Sequence, residues 1–242
     1  MKRMVVKVGG GLFKNDENLK YLPNLVTQIA ILMTEQKKEV CLVSSGAINT
    51  MKRILGREPR NLAEKQAFAS MGQIVLMQNY HNLFSPYKIR VSQILLIYGD
   101  LDSLTRRENA QNTVEKLFSL GAIPIVNEND TTAIEEIRWG DNDPLAAMVA
   151  ELIEADLLVL LTDVEGLYIP RKGWPIPEVE KITPEIEEVP YDEDMRTKLE
   201  AAKRATEAGI PTFIASFKDP EVLLKIAEGK PVGTKFLSRL EV

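Results

Sequence analysis

Two clusters of amide and carboxylate side chains follow one apolar run, and their residue types suit the binding of a charged small molecule. Residues 122–126 have the continuous apolar character of a buried strand, and Asn127-Glu128-Asn129-Asp130 follows directly. Gly140-Asp141-Asn142-Asp143 comes a short interval later. Asparagine both donates and accepts hydrogen bonds, whereas ionised aspartate only accepts. The clusters therefore match a zwitterion with an ammonium and a carboxylate. A turn in which Asp141 or Asp143 caps the next helix is the alternative interpretation.

Two earlier turns have residue types that bind anions. Lys7 lies near the end of the first predicted strand, which runs into Gly9-Gly10-Gly11. Glycine allows close approach and positive φ, and successive N–H groups can form an anion nest beside the lysine charge. Ser44-Ser45-Gly46-Ala47 follows the second predicted strand and opens a helix, whose N-terminus favours anions. A plain tight turn and a serine N-cap are the respective alternatives. Neither phosphate-loop nor dinucleotide-binding fingerprints occur.

Two later segments extend this pattern. Thr162 and Asp163 follow the fifth predicted strand at the same rim of the sheet, where they suit the ribose or base of a nucleotide. Lys198 lies in the predicted first turn of a late helix, where the helix dipole favours phosphate. A solvated helix lysine is the alternative for Lys198.

The scarcity of histidine and cysteine restricts the possible chemistry. With His81 as the only histidine and Cys41 as the only cysteine, a Ser-His-Asp triad, a disulfide framework or a zinc site is hard to build within the chain. A glutamate-type carboxylate, with a pKa of about 4.3, is already ionised at neutral pH and needs no base to act as a nucleophile. Phosphoryl transfer to it needs positioning and positive charge, which two lysines and a magnesium ion could supply.

Strand and helix patterns alternate along the whole chain. This alternation predicts an α/β fold: a three-layer α/β/α sandwich around a central, mostly parallel sheet. The predicted strands are 4–8, 40–44, 91–97, 123–126, 157–161 and 212–215. The predicted helices are 19–35, 63–83, 106–120, 144–153 and 195–208.

The organisation predicts a single domain, 1–242, with a subdivision near Ala155 into approximate lobes at 1–154 and 155–242. Prolines and a glycine break residues 168–190 into loops or a short hairpin, either a mobile flap or a static surface loop. The net charge of −5 argues against nucleic acid as the main partner. No apolar run approaches membrane-spanning length, so we expect a cytoplasmic protein without a membrane partner.

These segments together resemble the amino acid kinase family, and within it the glutamate 5-kinases, over nearly the whole chain. The two polar clusters are the most specific part of the resemblance. The other matching segments are Val6-Lys7-Val8-Gly9, Val43-Ser44-Ser45-Gly46-Ala47-Ile48, Leu161-Thr162-Asp163, Gly166-Leu167-Tyr168, Met195-Arg196-Thr197-Lys198-Leu199-Glu200-Ala201-Ala202 and Val232-Gly233-Thr234.

The resemblance implies an ATP-dependent kinase that converts L-glutamate into γ-glutamyl phosphate, the first step of proline biosynthesis. It also implies Mg²⁺ held mainly through the phosphates, a homo-oligomer and proline as a feedback inhibitor. Lys7 and Lys198 would neutralise the transferring phosphoryl group, and Asp143 would hold both lysines. The residues implied to bind glutamate are Ser45, Asn127, Asp130, Asp141 and Asn142, and those implied to bind ATP are Lys7, Gly9, Gly10, Thr162, Asp163 and Lys198. A related kinase acting on another small acid and a non-catalytic sensor of amino acid or nucleotide are the alternatives.

The chain departs from the family pattern in three places. Tyr191-Asp192-Glu193-Asp194 stands where relatives have a glycine-rich run, so three acids would lie beside the ATP phosphates and weaken nucleotide binding. Gly9-Gly10-Gly11 replaces the Gly-Thr-Ser usual in glutamate kinases. The sequence stops at Val242, so we expect a form without the C-terminal domain of RNA-modification type that many members carry.

Overall fold

A computed structural model describes residues 1–133, 142–168 and 176–241, and their strands form a single eight-stranded sheet. The strands are β1 (Arg3–Val8), β2 (Glu39–Ser44), β3 (Arg90–Leu96), β4 (Ala122–Glu128), β5 (Leu157–Thr162), β6 (Glu178–Val179), β7 (Thr212–Ser216) and β8 (Thr234–Phe236). The helices are α1 (Asp16–Leu19), α2 (Leu22–Thr34), α3 (Ala47–Leu55), α4 (Leu62–Phe84), α5 (Tyr98–Asp102), α6 (Leu104–Ser119), α7 (Asp143–Leu152), α8 (Pro184–Glu187), α9 (Glu193–Glu207) and α10 (Val222–Ala227), with short 3₁₀ turns at Gly10–Phe13 and Ser85–Tyr87.

The sheet is mostly parallel, with strand order β3-β4-β2-β1-β5-β7-β8-β6. Only the β7–β8 pair is antiparallel among the described strands. The carboxyl ends of β1, β2, β4, β5 and β7 therefore meet at one edge, where ligands bind in open α/β sheets. The predicted three-layer fold with a mostly parallel sheet is confirmed.

Both faces of the sheet are covered by buried apolar side chains, which explains the nearly uninterrupted apolar sequence of the central strands. In β1, Met4, Val6 and Val8 pack into a core with α2 and α4, whereas Val5 packs into the opposite core with α7 and α9. Because side chains alternate along a strand, Lys7 projects to the same face as Val5, under α7. Cys41 is buried in the same core as Val5.

The element boundaries mostly follow the sequence pattern, with specific differences. All six predicted strands are present, but β4 continues to Glu128, so Asn127 and Glu128 end the strand instead of following it. The strands β6 and β8 were not predicted, because two and three residues are too few for a recognisable alternation. For residues 168–190 the sequence predicts loops or a short hairpin; within the described part, β6 pairs in parallel with the distant β8, and residues 169–175 lie outside the described ranges.

The strand order bears on the predicted lobes. Strands β3, β4, β2 and β1 belong to residues 1–154 and occupy one half of the sheet, whereas β5, β7, β8 and β6 belong to 155–242 and occupy the other. The described helices include none that is both long and apolar enough to cross a membrane.

Candidate active site

Two lysines form ion pairs with one aspartate at the centre of the carboxyl edge of the sheet. The Lys7 ammonium lies 2.6 Å from Asp143 Oδ1, and the Lys198 ammonium lies 3.1 Å from Asp143 Oδ2. All three side chains are at most 1% exposed. The three residues predicted to be catalytic, which lie far apart in sequence, are thus in direct contact, and the alternative of a solvated Lys198 is wrong.

Helix packing and strand alternation bring these three residues together. Helix α7 begins at Asp143 with Pro144 in its first turn, and its apolar face packs over β1, where Lys7 projects. Helix α9 supplies Lys198 and also Thr197, whose hydroxyl donates to Asp143 Oδ2 at 3.0 Å. Asp143 is therefore used for ion pairing and not for capping, and Asn142 at the N-cap makes no side-chain capping bond.

The position of Lys198 in its helix differs from the prediction. Helix α9 begins at Glu193, so Lys198 is its sixth residue and lies in the second turn. The helix dipole acts mainly within the first turn, so its expected contribution at Lys198 is lost. The Lys198 charge instead acts through contact with the carboxylates of Asp143 and Asp194.

We call Lys7, Asp143 and Lys198 the ion cluster. A small polar pocket of about 170 Å³ lies near it, and we call this pocket the Asp130 pocket. It contains Ser45, Asn127 and Asp130, three of the residues expected to bind glutamate. Gly10, expected at ATP, lines this pocket as well. The full lining is Gly10, Ser45, Gly46, Ala47, Ile48, Asn49, Lys52, Lys65, Asn127 and Asp130, of which Asn49, Lys52 and Lys65 were not singled out from the sequence.

A chain of side-chain amides supports this pocket from behind. Asn142 Nδ2 donates to Asn127 Oδ1 at 2.6 Å, Asn127 Nδ2 donates to Gln73 Oε1 at 2.8 Å, and Gln73 Nε2 donates to Gln93 Oε1 at 3.0 Å. The chain fixes the orientation of each amide. Asn142 is completely enclosed and stands behind Asn127, so its direct contact with a substrate stays a prediction. Asp141 lies outside the described residues.

The turn after β2 forms another wall of the Asp130 pocket. Gly46, and not a serine, is the N-cap of α3, with φ of +113°. A Cβ atom there would stand 2.2 Å from the Phe13 ring, so the turn requires glycine. The Ser44 hydroxyl hydrogen-bonds the Tyr80 hydroxyl at 2.8 Å. Burial raises the pKa of Tyr80, which keeps the phenol neutral as a fixed partner for this turn.

A second pocket of about 410 Å³ is lined by Lys198 of the ion cluster, and we call it the Lys198 pocket. It brings together Gly9, Thr162, Asp163 and Lys198, four of the residues expected to bind ATP. The full lining is Gly9, Gly11, Lys14, Asn15, Asn18, Leu161, Thr162, Asp163, Asp192, Asp194, Lys198 and Phe217. The glycine run does not use the positive φ that glycine allows: Gly9 has a φ of −70°, and the run enters the 3₁₀ turn Gly10–Phe13.

The three acids that replace the expected glycines lie in three different environments. The Asp192 side chain caps α9 by accepting from the Met195 N–H at 2.8 Å. Asp194 Oδ1 lies 2.6 Å from the Lys198 ammonium, and this carboxylate is about half exposed. Glu193 is exposed and is not part of the pocket lining. Two of the three acids, not all three, therefore face the Lys198 pocket.

A third cavity of about 760 Å³ shares Asp163 with the Lys198 pocket and continues it along the carboxyl edge. Ser216 and Lys218 line it at the end of β7, and Gly233 lines it next to β8. Sequence reasoning overlooked Ser216 and Lys218, although the predicted strand 212–215 ends at the same edge, and it noted Gly233 only as part of a segment that resembles the family. In the described part of the chain, no group of three or more His, Cys, Asp or Glu side chains is arranged to hold a metal ion.

Comparisons with known proteins identify the family of kinases to which this fold and site belong. Residues 2–216 match the model of the amino acid kinase family, and the chain belongs to that family. It is 44% identical over 252 residues to glutamate 5-kinase of Thermus thermophilus and 43% identical over 255 residues to glutamate 5-kinase of Paraburkholderia phymatum. These alignments cover 98% of this chain and 68% of each relative.

A solved structure supports the fold independently of close sequence similarity. The chain superimposes on N-acetylglutamate synthase from Neisseria gonorrhoeae with a TM-score of 0.72 at 17% identity. The match covers 98% of this chain and 60% of that protein. At this level of identity the likeness concerns the fold alone.

Proposed function

We propose that this chain transfers the γ-phosphoryl group of ATP to the side-chain carboxylate of L-glutamate, giving γ-glutamyl phosphate for proline biosynthesis. The observation that carries the proposal is the buried ion cluster of Lys7, Asp143 and Lys198. Lys198 lines the Lys198 pocket, and Asn142, next to Asp143, hydrogen-bonds Asn127 of the Asp130 pocket. The identity to glutamate 5-kinases over nearly the whole chain supports the same substrate.

The two pockets would divide the substrates between them. In the Asp130 pocket, Ser45, Asn127 and Asp130 would hold glutamate, with Asn142 and Asp141 completing the site. ATP would place its phosphates by Gly9 and Lys198 and its nucleoside by Thr162 and Asp163, in the pocket that continues past the end of β7. With this division, residues 1–154 would form the amino acid-binding lobe and residues 155–242 the nucleotide-binding lobe, with Gly9 of the first lobe also contacting the phosphates.

The reaction needs positive charge more than proton transfer. The ionised γ-carboxylate attacks the γ-phosphorus, an oxygen–phosphorus bond forms, the bond to the bridging oxygen breaks, and ADP leaves. Lys7 and Lys198 would neutralise the charge on the transferring phosphoryl group. Asp143 would keep both ammonium groups in place, since two buried cations repel each other unless a carboxylate compensates them.

Mg²⁺ would accompany the nucleotide. This ion commonly keeps several waters and binds through substrate phosphates with one or two carboxylates, so it needs no dedicated cage of protein ligands. The carboxylates that line the Lys198 pocket and are able to contribute are those of Asp163, Asp192 and Asp194. When bound, the ion would neutralise phosphate charge. A homo-oligomer and inhibition by proline also remain part of the proposal, testable by sedimentation and by initial rates with added proline.

A panel of carboxylic acids with ATP and Mg²⁺, in which acyl phosphate is trapped by hydroxylamine, tests the function. L-Glutamate should give a hydroxamate, and aspartate and N-acetylglutamate should give little. A faster reaction with another acid would assign a different acceptor. No hydroxamate from any acid, with nucleotide still bound, would instead indicate a non-catalytic sensor.

A further inference from the structure

Lys65 places a positive charge at the wall of the Asp130 pocket, and the proposed function described above gives this residue no role. It lies in the first turn of α4 and is half-buried at the pocket wall. Within the described ranges, the Lys65 ammonium forms no ion pair or side-chain hydrogen bond. Lys52, the other lysine at this pocket, is already 2.7 Å from the Glu58 carboxylate.

The fold fixes where Lys65 stands. The Asn61 side chain caps α4 by accepting from the Glu64 N–H at 2.9 Å, and the Lys65 N–H donates to the Asn61 carbonyl at 3.0 Å. One residue further on, Gln66 Nε2 lies 3.5 Å from the carbonyl oxygen of Thr131, the residue that follows Asp130. The first turn of α4 is therefore held against the loop that presents Asp130.

Lys65 and Asp130 carry opposite charges on one small pocket without pairing. No ion pair joins them, and the Asp130 carboxylate, like the Lys65 ammonium, forms no side-chain contact with another charged group in the part of the chain described. An α-amino acid carries an ammonium and a carboxylate on one carbon atom, and these two charges are complementary to those of Asp130 and Lys65. The pocket also reaches Gly10, next to the Gly9 and Gly11 of the Lys198 pocket, on the side towards the nucleotide.

We propose that Lys65 determines substrate specificity by binding the α-carboxylate of the amino acid while Asp130 holds its α-ammonium. This inference rests on the proposed function. With the α-amino acid group held by Lys65 and Asp130, the side-chain carboxylate extends past Gly10 towards Lys7 and Lys198. Acids without an α-carboxylate leave Lys65 without a partner and bind weakly.

The test compares L-glutamate with its α-amide, which keeps the γ-carboxylate and the ammonium but loses the α-carboxylate charge. Lys65→Met should raise the KM for L-glutamate by about ten- to hundredfold, the usual range for a hydrogen-bonded charge contact. The KM for the α-amide and the KM for ATP should change little, so the preference for L-glutamate over the α-amide should largely disappear. Lys65→Arg should retain most of that preference.

Two further measurements keep the inference separate from the proposed function. Lys116→Met, which changes an exposed lysine on α6, is the matched control and should leave every constant unchanged. Calorimetric titration of L-glutamate and of the α-amide, without ATP, tests Lys65 even if turnover fails. An equal loss of affinity for both ligands, or no loss for L-glutamate, would overturn the role of Lys65 whether or not the wild type makes γ-glutamyl phosphate.

Discussion

The Asp130 pocket and the Lys198 pocket both lie at the carboxyl edge of the sheet, yet they present their charges differently. In the Asp130 pocket, Lys65 and Asp130 are not paired with each other within the described residues. In the Lys198 pocket, the Lys198 ammonium is bound by two carboxylates, at 3.1 Å from Asp143 and 2.6 Å from Asp194. One pocket offers its charges to a ligand, whereas the other has its main cation already neutralised.

This difference suggests different costs of binding for the two substrates. A zwitterion entering the Asp130 pocket finds charges in place and does not have to break an ion pair. Phosphate entering the Lys198 pocket meets a lysine that must exchange one carboxylate for the incoming oxygen. Asp143 is enclosed and Asp194 is half exposed, so Asp194 is the partner that can leave.

The largest effect should come from removing the carboxylate shared by both lysines. Asp143→Ala removes the carboxylate that both buried lysines share and leaves Lys198 with the half-exposed Asp194 carboxylate; removing one partner of a buried pair typically costs about 3–5 kcal/mol of stability. Turnover should be lost as well. Urea unfolding measures the stability, and Thr197→Val is the matched control because it removes only one hydrogen bond to Asp143. Similar small losses in both variants would contradict a structural role for the cluster.

Lys198→Ala should come next and should affect turnover far more than glutamate binding. Loss of a charge contact in the transition state typically costs about 2–4 kcal/mol, or roughly a hundredfold or more in kcat. Calorimetry should find glutamate affinity nearly unchanged, since Lys198 does not line the Asp130 pocket. Lys203→Ala, on the same helix but exposed, is the control. A near-normal kcat would place phosphoryl transfer elsewhere.

The sequence was sufficient for six of the eight described strands and for the residues at their ends, because those depend on local patterns. Six strands and the carboxyl edge follow from apolar runs and the turns after them. The contact between Lys7 and Asp143 depends instead on how α7 packs over β1, which no local pattern specifies. Lys65 was overlooked for a related reason: a lysine near a helix start resembles a solvated residue until the loop with Asp130 is placed beside it.

The start of α9 is another feature that the sequence analysis did not place correctly. Asp192 is a good N-cap residue, and the sequence could have indicated a helix beginning at Glu193. The comparison with a glycine-rich loop drew attention to the repulsion of phosphate instead. Capping by Asp192 and the ion pair of Asp194 with Lys198 became evident only from the positions of the side chains.

Asp130→Ala should have a smaller effect than Lys198→Ala and should fall on the other substrate. Removing the acceptor for the substrate ammonium should raise the KM for glutamate by about ten- to hundredfold, corresponding to roughly 1–3 kcal/mol. The KM for ATP should change little, because Asp130 lines only the glutamate side of the cluster. Initial-rate measurements with each substrate varied in turn give both constants. Asp16→Ala, which removes an exposed acid paired with Arg53, is the control.

Equal changes in both constants would show that Asp130 shapes the whole carboxyl edge and does not recognise the amino acid. Asn142→Ala adds a contrast, since Asn142 is enclosed behind Asn127. We expect it to raise the KM for glutamate as well, but to lower stability at the same time, because it interrupts the amide chain. Asp130 is only partly buried and should affect binding without much loss of stability.

The smallest effect concerns the carboxylate that competes with phosphate. Asp194→Gly should tighten ATP binding a few-fold, since a partly exposed ion pair contributes only about 0–1 kcal/mol. The gain should shrink as salt is raised, because exposed charges are screened over about 8–10 Å at physiological ionic strength. Glu193→Gly, at the neighbouring acid outside the pocket, is the matched control. Asp192 should be left in place because it caps the helix.

A titration of ATP at two salt concentrations and two Mg²⁺ concentrations distinguishes the possible roles of Asp194. Tighter binding that weakens with salt means that Asp194 occupies the position of a phosphate oxygen on Lys198, and the comparison between the two pockets holds. Weaker ATP binding that extra Mg²⁺ restores means that the Asp194 carboxylate helps to bind Mg²⁺. In that case Asp194 favours nucleotide binding and does not compete with the phosphates for Lys198. An unchanged affinity in both salts means that the phosphates never reach Asp194. In that case Lys198 keeps both carboxylates when ATP binds, and the positive charge at the phosphoryl group has to come mainly from Lys7.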